Sequence, residues 1–260
     1  MYGKTRAAGT IGRGWCDRFL GRYPILTTRN AQKIKRVRNE IALLAVTAFF
    51  WRCARAVIMY AVGADRFFNM DETGFVQNAK TKKVIAMKGS RNVWCRTVEA
   101  SFHLTLVAAA SASGFLIPSV IILPGKRVNR DVMNACTIPG AKITTTKAGF
   151  MTTDVMIKWI EHFAQSVPTP IKRPLALVLD GAGSHMGLEI DLAAERFGVV
   201  LVQLPPNASH LYQPLDVAVF KGVKSVLKDE IYNYMIRTGL TNICTKDALT
   251  LASNTWEKGF

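Results

Sequence analysis

The stretch PLALVLDGAGSH, residues 174–185, decides the predicted fold of this chain. Its apolar residues Leu175–Leu179 form an unbroken run, which is typical of a parallel strand buried on both faces. Asp180 follows directly, and the glycines after it indicate a turn. Open α/β sheets place ligands at the carboxyl ends of such strands. We therefore predict a functional carboxylate at the end of a central strand.

The sequence on either side of this stretch predicts the other elements. Further strands are indicated at residues 67–70, 83–87, 98–110, 115–123 and 199–204, with an SASG turn joining the third and fourth. Helical periodicity indicates helices at residues 39–60, 153–167 and 187–197 and from 217 onward. Thr152 or Thr153 is the predicted N-cap of the second helix, and Gly198 closes the third. This order of elements, with strands first and then alternating helices and strands, predicts an α/β fold. We expect a mixed sheet flanked by helices, with a helical N-terminal segment.

Two more aspartates lie in comparable settings. Asp71 in RFFNMDETGF (residues 66–75) ends an apolar run, and Asp216 in SHLYQPLDVAVF (residues 209–220) begins a helix-like segment. If the strands before Asp71 and Asp180 are neighbours, their carboxylates meet at one sheet edge, and Asp216 adds a third. Such oxygen ligands suit Mg²⁺, and a pair of ions can promote in-line phosphodiester displacement. The alternative is that the three are ordinary turn and capping residues.

The composition predicts a polyanionic partner. Lys and Arg total 34 against 18 Asp and Glu, which gives a formal net charge of +16 over 260 residues. Nucleic acid favours such a surface through counterion release. The candidate phosphate contacts are Lys33, Lys35, Arg36, Arg38, Lys82, Lys83, Lys88, Arg91, Lys221 and Lys224, within clusters that also include Lys126, Arg127, Arg130 and Lys228. Each cluster could equally be a solvated face.

Other classes are disfavoured. The apolar stretch at residues 41–51 is interrupted by Arg52 and Arg55, so it predicts a packed helix and no membrane association. The start of the sequence shows no apolar signal-peptide core. The five cysteines are scattered without a CxxC pair, which favours reduced cysteines of an intracellular protein over a zinc ribbon.

Three blocks carry a family resemblance: FNMDETGF (68–75), LVLDGAGSH (177–185) and LPPNASHLYQPLDVAVFKGVK (204–224). They resemble, in order and spacing, the signature blocks of the DDE superfamily endonucleases of the pogo–Tigger–jerky group, transposases and derived proteins related to centromere protein B. The resemblance implies a ribonuclease-H-like fold and a site in which Asp71, Asp180 and Asp216 hold Mg²⁺ or Mn²⁺ and are catalytic. Ala182 and Tyr212 depart from common residues of the family, but neither removes a carboxylate.

The resemblance also implies an organisation. Residues 1–38 are predicted to be the remnant of a helix-turn-helix DNA-binding domain, 39–65 a helical linker, and 66–260 the DDE endonuclease domain. The predicted function is metal-dependent DNA cleavage and strand transfer. The alternative is a domesticated or decayed copy that binds DNA without cutting it, and an RNA-cleaving enzyme is the third hypothesis. We expect DNA as partner, leave a homodimer open, and expect nuclear residence, with KIKRVR (33–38) as a candidate import signal.

Five further polar residues lie near the aspartates in sequence. Glu72 should point away from Asp71 on a strand, which favours a supporting role over metal ligation. His185 is interpreted as a hydrogen-bonding partner of its turn, and the alternative places it near metal or phosphate. His210 is expected to order the loop before Asp216. Thr73 and Ser184 would be nucleophiles only with a base in reach.

Overall fold

A computed structural model describes residues 13–27, 41–75, 99–100, 103–240 and 242–260. The chain divides into two compact units, Met1–Asn39 and Glu40–Phe260. The first contains helix α1 (Arg13–Arg22), on which Trp15 stacks against Phe19 with ring centroids 5.0 Å apart. The second unit contains the sheet. The predicted division into the segments 1–38, 39–65 and 66–260 stays a prediction.

Six strands of the second unit form one mixed sheet in the order β5-β4-β3-β1-β6-β7. Their bounds are β1 Phe67–Gly74, β3 Thr105–Ser111, β4 Leu116–Pro124, β5 Lys142–Thr146, β6 Leu175–Leu179 and β7 Val199–Gln203. β1 pairs antiparallel with β3 and parallel with β6, so the direction of strand pairing changes at β1. A separate parallel pair joins β2 (Glu99–Ala100) to β8 (Asn242–Ile243).

Helices cover both faces of this sheet, as the sequence predicted. Their bounds are α2 Leu43–Tyr60, α3 Arg130–Met133, α4 Thr153–Ser166, α5 Leu188–Arg196, α6 Ser209–Tyr212, α7 Phe220–Thr238 and α8 Thr245–Gly259. A 3₁₀ turn, Gly183–His185, follows β6, and a π-helical turn, Leu215–Val219, leads into α7. Thr152 caps α4 by accepting a hydrogen bond from the Val155 backbone N–H, and Gly198, with φ of 66°, lies just beyond α5.

Alternation along the strands assigns the helices to opposite faces. Phe68 and Met70 of β1 enter the core formed with α4 and α5, whereas Phe75, directly after β1, enters the core formed with α7 and α8. Residues 69, 71 and 73 therefore share the face that α7 and α8 cover. α2 packs Phe49 against Val178 and Val202 on that same face.

Several predicted elements need correction. The strand expected over residues 98–110 is wrong as one element, because residues 99–100 pair with β8 while Thr105 begins β3 in the main sheet. The strand predicted to stop before Asp71 continues to Gly74, since β3 pairs with it along that whole length. β5 was not predicted, because its sequence KITTT has no apolar run and lies half-buried at the sheet edge. The strand predicted at residues 83–87 lies outside the described residues.

Helix α2 lies within the helix predicted over residues 39–60 and continues beyond the apolar stretch 41–51. It runs for 18 residues and includes Arg52 and Arg55. By length and composition alone, α2 could cross a membrane, and it is the one helix in the described residues that passes this test. Phe49 and Ala56 nevertheless pack on strands of the sheet. The expectation of no membrane partner stays a prediction.

The aromatic cluster beneath β1 should carry much of the stability. Phe163 is fully buried, stacks on Trp159 with centroids 5.4 Å apart and meets the Phe68 ring edge-on at 5.0 Å. Phe163→Ala should lower the free energy of unfolding by ~3–5 kcal/mol in urea denaturation, through lost burial and the cavity left behind. Lys158→Ala on the exposed side of α4 is the control, with an expected change within about 0.5 kcal/mol. A loss under about 1 kcal/mol for Phe163→Ala would contradict this packing.

Candidate active site

The pairing of β1 with β6 places the first two aspartates side by side. Asn69 pairs with Val178 in parallel register. Asp71 and Asp180 each lie two residues further along their chains, Asp71 still within β1 and Asp180 directly after β6. The predicted neighbouring of these two strands is therefore observed, and both residues occupy the same level of the sheet.

Asp71 is a buried carboxyl in an unfavourable electrostatic environment. Burial, and after it the charges of Asp216 and Asp180, together raise the pKa of Asp71 from 3.8 to about 7, against hydrogen bonds from the Glu72 backbone and the Gln213 side chain that lower it. Its Oδ2 atom is buried and has no hydrogen-bond partner among the described residues. The carboxyl is thus desolvated, and repelled by acids from two other elements, with one oxygen unused.

Asp180, unlike Asp71, lies in an environment that stabilises its negative charge. Its Oδ1 accepts hydrogen bonds from the His185 ring at 2.6 Å and from the Ala182 backbone N–H at 3.1 Å. The bond from His185 is the main reason that the pKa of Asp180 lies below its usual value. The 3₁₀ turn after β6 brings His185 back to Asp180, so the predicted interaction of this histidine with its turn is observed.

His185 also joins Asp180 to β1. The other ring nitrogen, Nε2, lies 2.8 Å from Glu72 Oε1, and the residue is 3% exposed. Burial alone would lower the pKa of His185, but the hydrogen bonds and charges of Asp180 and Glu72 outweigh it and raise that pKa to about 9. A charged imidazolium therefore links the two carboxylates, and Glu72 has the supporting position expected from its strand face.

Asp216 lies in the π-helical turn Leu215–Val219, which contacts β1. A buried polar network anchors the start of this turn. The Gln213 side chain donates to the Met70 carbonyl at 3.0 Å and accepts from Asn69, while Asn69 Oδ1 accepts from the Leu215 backbone N–H at 3.1 Å. Sequence analysis missed Asn69 and Gln213; the signal available was an amide side chain near an aspartate in each of two blocks.

The donor set suits a hard divalent cation. Carboxylate oxygens are the ligands that Mg²⁺ and Mn²⁺ prefer. A cation would give Asp71 Oδ2 the positively charged partner that it lacks among the described residues. The Thr73 hydroxyl, on the same strand face, is also buried without a partner in the described part of the chain. Within the described residues, no three His, Cys, Asp or Glu side chains form a closed ligand group. The three aspartates are electrostatically coupled, but they do not form a closed ligand set.

The remaining predicted residues divide by region. Lys221 and Lys224 are exposed on α7, where Lys228 extends the same helix face. Lys33, Lys35, Arg36, Arg38, Lys82, Lys83, Lys88 and Arg91 lie outside the described residues. His210 lies in α6, four residues before the Pro214–Leu215 junction, with a buried Nδ1 atom that finds no partner in the described ranges.

Comparison with known proteins identifies the class. A model of the DDE superfamily endonuclease family matches residues 102–257, more than half of the chain, and this chain belongs to that family. The match includes Asp180 and Asp216 and begins after Asp71. The predicted resemblance to the pogo–Tigger–jerky group is confirmed: the human pogo transposable element with KRAB domain is 22% identical over 234 residues. That alignment covers 87% of this chain and 37% of the human protein.

Another relative is the MFS-type transporter clz9 of Cochliobolus lunatus, 24% identical over 178 residues. The alignment covers 66% of this chain and 19% of that protein, so its name describes a much longer chain. Among solved structures, the Mos1 mariner paired-end complex with Mn matches with a TM-score of 0.51 and 16% identity, over 95% of this chain and 70% of that one. The predicted ribonuclease-H-like mixed sheet flanked by helices is confirmed.

The burial of Asp71 predicts a pH-dependent cost to the metal-free fold. A carboxyl whose folded pKa is raised from 3.8 to about 7 binds more protons when folded, so stability falls as pH rises through that window. In chelator at pH 8, Asp71→Asn should raise the free energy of unfolding by ~1–3 kcal/mol, and the gain should vanish near pH 4.

Urea denaturation across pH measures this effect, with the exposed Asp17→Asn as a charge-matched control that should change little. Saturating Mg²⁺ should reverse the order, because only the carboxylate binds the cation. Equal stability of Asp71→Asn and the unchanged chain at pH 8 would contradict the electrostatic account.

Proposed function

We propose that this chain is a transposase-type DNA endonuclease domain that hydrolyses and transfers phosphodiesters with a divalent cation held by Asp71, Asp180 and Asp216. The observation that carries the proposal is Asp71: a buried carboxyl with an unpartnered oxygen, repelled by aspartates from two other elements. A structural aspartate would have a hydrogen-bond partner or a counter-charge there. An unmet demand for positive charge at a convergence of carboxylates is characteristic of a cation site.

The three aspartates would hold Mg²⁺ or Mn²⁺, each from a different element. When bound, such ions supply Lewis-acid stabilisation of the attacking and leaving oxygens during in-line displacement. The Mn-containing Mos1 complex supports the choice of metal. His185 and Glu72 keep one Asp180 oxygen engaged, which leaves the other for ligation and keeps the carboxylate ionised.

The chain itself would position the DNA. Lys221 and Lys224 begin the helix that follows the turn carrying Asp216, and each is exposed. Phosphate contacts there would orient a strand beside the carboxylates without reading its sequence. The side chains predicted at residues 33–38 and 82–91 extend this proposal into parts of the chain that the structure does not describe. No side-chain nucleophile is invoked; water serves for nicking and a DNA 3′-hydroxyl for joining.

The proposed partner is DNA, as in the Mos1 transposase complex with a left transposon end. Paired-end complexes of that neighbour also support extending the proposal to a homodimer, one copy for each end. We also propose nuclear residence, on the ground of the family and the basic charge. The predicted division into residues 1–38, 39–65 and 66–260 is kept as part of this proposal, with the second segment packed on the sheet through Phe49 and Ala56.

A second candidate function is DNA binding without cleavage. It is favoured by one observation, that the described acids do not form a closed ligand group. A decayed copy would keep the fold and the basic surface while losing the exact convergence that catalysis needs.

Cleavage distinguishes the two. With supercoiled plasmid and Mg²⁺ or Mn²⁺, the chain should nick DNA, and Asp180→Asn should reduce the rate roughly 100-fold or more, because a ligand charge is lost. Asp191→Asn, an exposed aspartate on α5, is the matched control and should nick normally. Metal-dependent nicking that survives Asp180→Asn would refute the site. Equal DNA retention by all three proteins without nicking would favour the binding function.

The role of α7 has a thermodynamic test. If Lys221 and Lys224 each contact a phosphate, the double variant Lys221→Ala/Lys224→Ala should bind duplex DNA with a log K against log salt slope that is smaller by about 2. Lys142→Ala/Lys158→Ala removes two exposed lysines from β5 and α4 and should leave the slope unchanged. Equal slopes for both double variants, measured by fluorescence anisotropy, would exclude α7 from the DNA contact.

A further inference from the structure

We propose that Asn69 and Gln213 form a buried amide pair that positions Asp216 against Asp71, and that this pair acts as a positioning device for the site. The inference deepens the proposed function and rests on it for its catalytic meaning. The contact geometry on which it depends is independent of any cleavage activity.

Asn69 connects three elements through one side chain. Its Nδ2 donates to the Val178 carbonyl of β6 at 3.1 Å and to the Gln213 side-chain oxygen, and its Oδ1 accepts from the Leu215 N–H. Val178 lies two residues before Asp180, and Leu215 lies next to Asp216. Asn69 itself lies two residues before Asp71 on the same strand face. The Asn69 amide therefore lies on the strand of Asp71 and bonds to the backbone within two residues of Asp180 and of Asp216.

Gln213 completes the connection from the other side. It is fully buried, and its Nε2 donates to the Met70 carbonyl at 3.0 Å. A hydrogen bond from its side chain also reaches Asp71. Its backbone carbonyl accepts from the Val217 N–H at 3.0 Å, at the start of the π-helical turn. Asp216 thus lies between two residues, Leu215 and Val217, whose N–H groups are held by this pair.

The energetics explain why an amide pair would position the turn more sharply than apolar packing. Apolar side chains tolerate small shifts, because dispersion and burial have little directionality. A buried amide that slips out of place loses its partners and leaves polar groups desolvated, at about 1–3 kcal/mol for each group. β1 forms its strand pairs with β3 and β6. The segment between Pro205 and Phe220 is instead fastened to β1 by these side-chain bonds, which therefore define its position against the strand.

The location of the pair supports a role in the site over a role in general stability. Asn69 lies on the β1 face that also carries Asp71 and Thr73, and the Gln213 side chain reaches the same face through its hydrogen bonds to Asn69 and Asp71. The Asn69–Gln213 contact bridges the two segments that carry Asp71 and Asp216. Two carboxylates brought close together repel each other, so the turn needs such a bridge to stay against β1.

The experiment compares Gln213→Met, which keeps the length of the side chain and removes its amide, with Ser119→Ala. Ser119 is a buried hydroxyl that donates to the Val107 carbonyl at 3.0 Å, on strands away from the aspartates. The first readout is a double-mutant cycle of Asp71→Asn and Asp216→Asn on the free energy of unfolding in chelator. It measures the repulsion between the two acids in each background. The second readout is the Mn²⁺ dissociation constant, from the electron paramagnetic resonance signal of free Mn²⁺.

We expect the Asp71–Asp216 coupling to fall to roughly half or less in Gln213→Met, since the turn relaxes away from β1. The Mn²⁺ dissociation constant should rise about 10-fold or more, the usual scale for residues that orient metal ligands. Ser119→Ala should change neither value, although it too removes a buried hydrogen bond. Should Gln213→Met not fold, Gln213→Asn allows the same comparison, because it retains an amide but withdraws it by one methylene.

A folded variant with unchanged coupling and unchanged Mn²⁺ affinity overturns the inference. The two proposals fail separately. An unchanged chain that neither binds Mn²⁺ nor nicks DNA, but whose acid coupling still falls in Gln213→Met, retains the positioning role and loses the nuclease. A chain that nicks DNA normally while Gln213→Met shows no change in either readout retains the nuclease and loses the positioning role.

Discussion

The parallel pairing of β1 with β6 is the constraint on which the rest of this structure depends. β1 is the strand at which the sheet turns from antiparallel to parallel, with β3 on one side and β6 on the other. Its register with β6 brings residues 109 positions apart in the chain to one level. A slip of one residue would turn Asp71 to the opposite face of the sheet, away from the turn that carries Asp216.

Around this pairing the three aspartates experience different forces. Asp180 is partly exposed and bound by a charged histidine, so its negative charge is compensated. Asp71 is buried, has an unused oxygen and is repelled by the other two. The fold therefore contains an electrostatic imbalance at Asp71, which the surrounding hydrogen bonds only partly offset. An unfavourable electrostatic contribution to the free energy of folding is typical of functional sites, where some stability is given up for binding.

Prediction from sequence succeeded where local pattern determines structure. The apolar run Leu175–Leu179, the Thr152 cap of α4 and the glycine-bounded helix α5 were all recognisable, because burial, capping and φ freedom each leave a local signal. β5 and β8 were missed, and residues 99–100 were predicted as part of a longer strand with a different partner. β5 and β8 carry no apolar alternation, and they become strands because β4 and β2 offer them hydrogen bonds.

The sequence by itself determined the elements of the sheet, the excess of basic charge and the three aspartates with their family resemblance. Only the tertiary structure decided how those residues meet: that Asp71 is interior to its strand, that His185 bridges Asp180 and Glu72, and that Asn69 and Gln213 tie the Asp216 turn to β1. The physical reason is range. Periodicity and capping act within a few residues, whereas the contacts of His185 with Glu72 and of Asn69 with Leu215 join positions more than 100 residues apart and exist only once the sheet has formed.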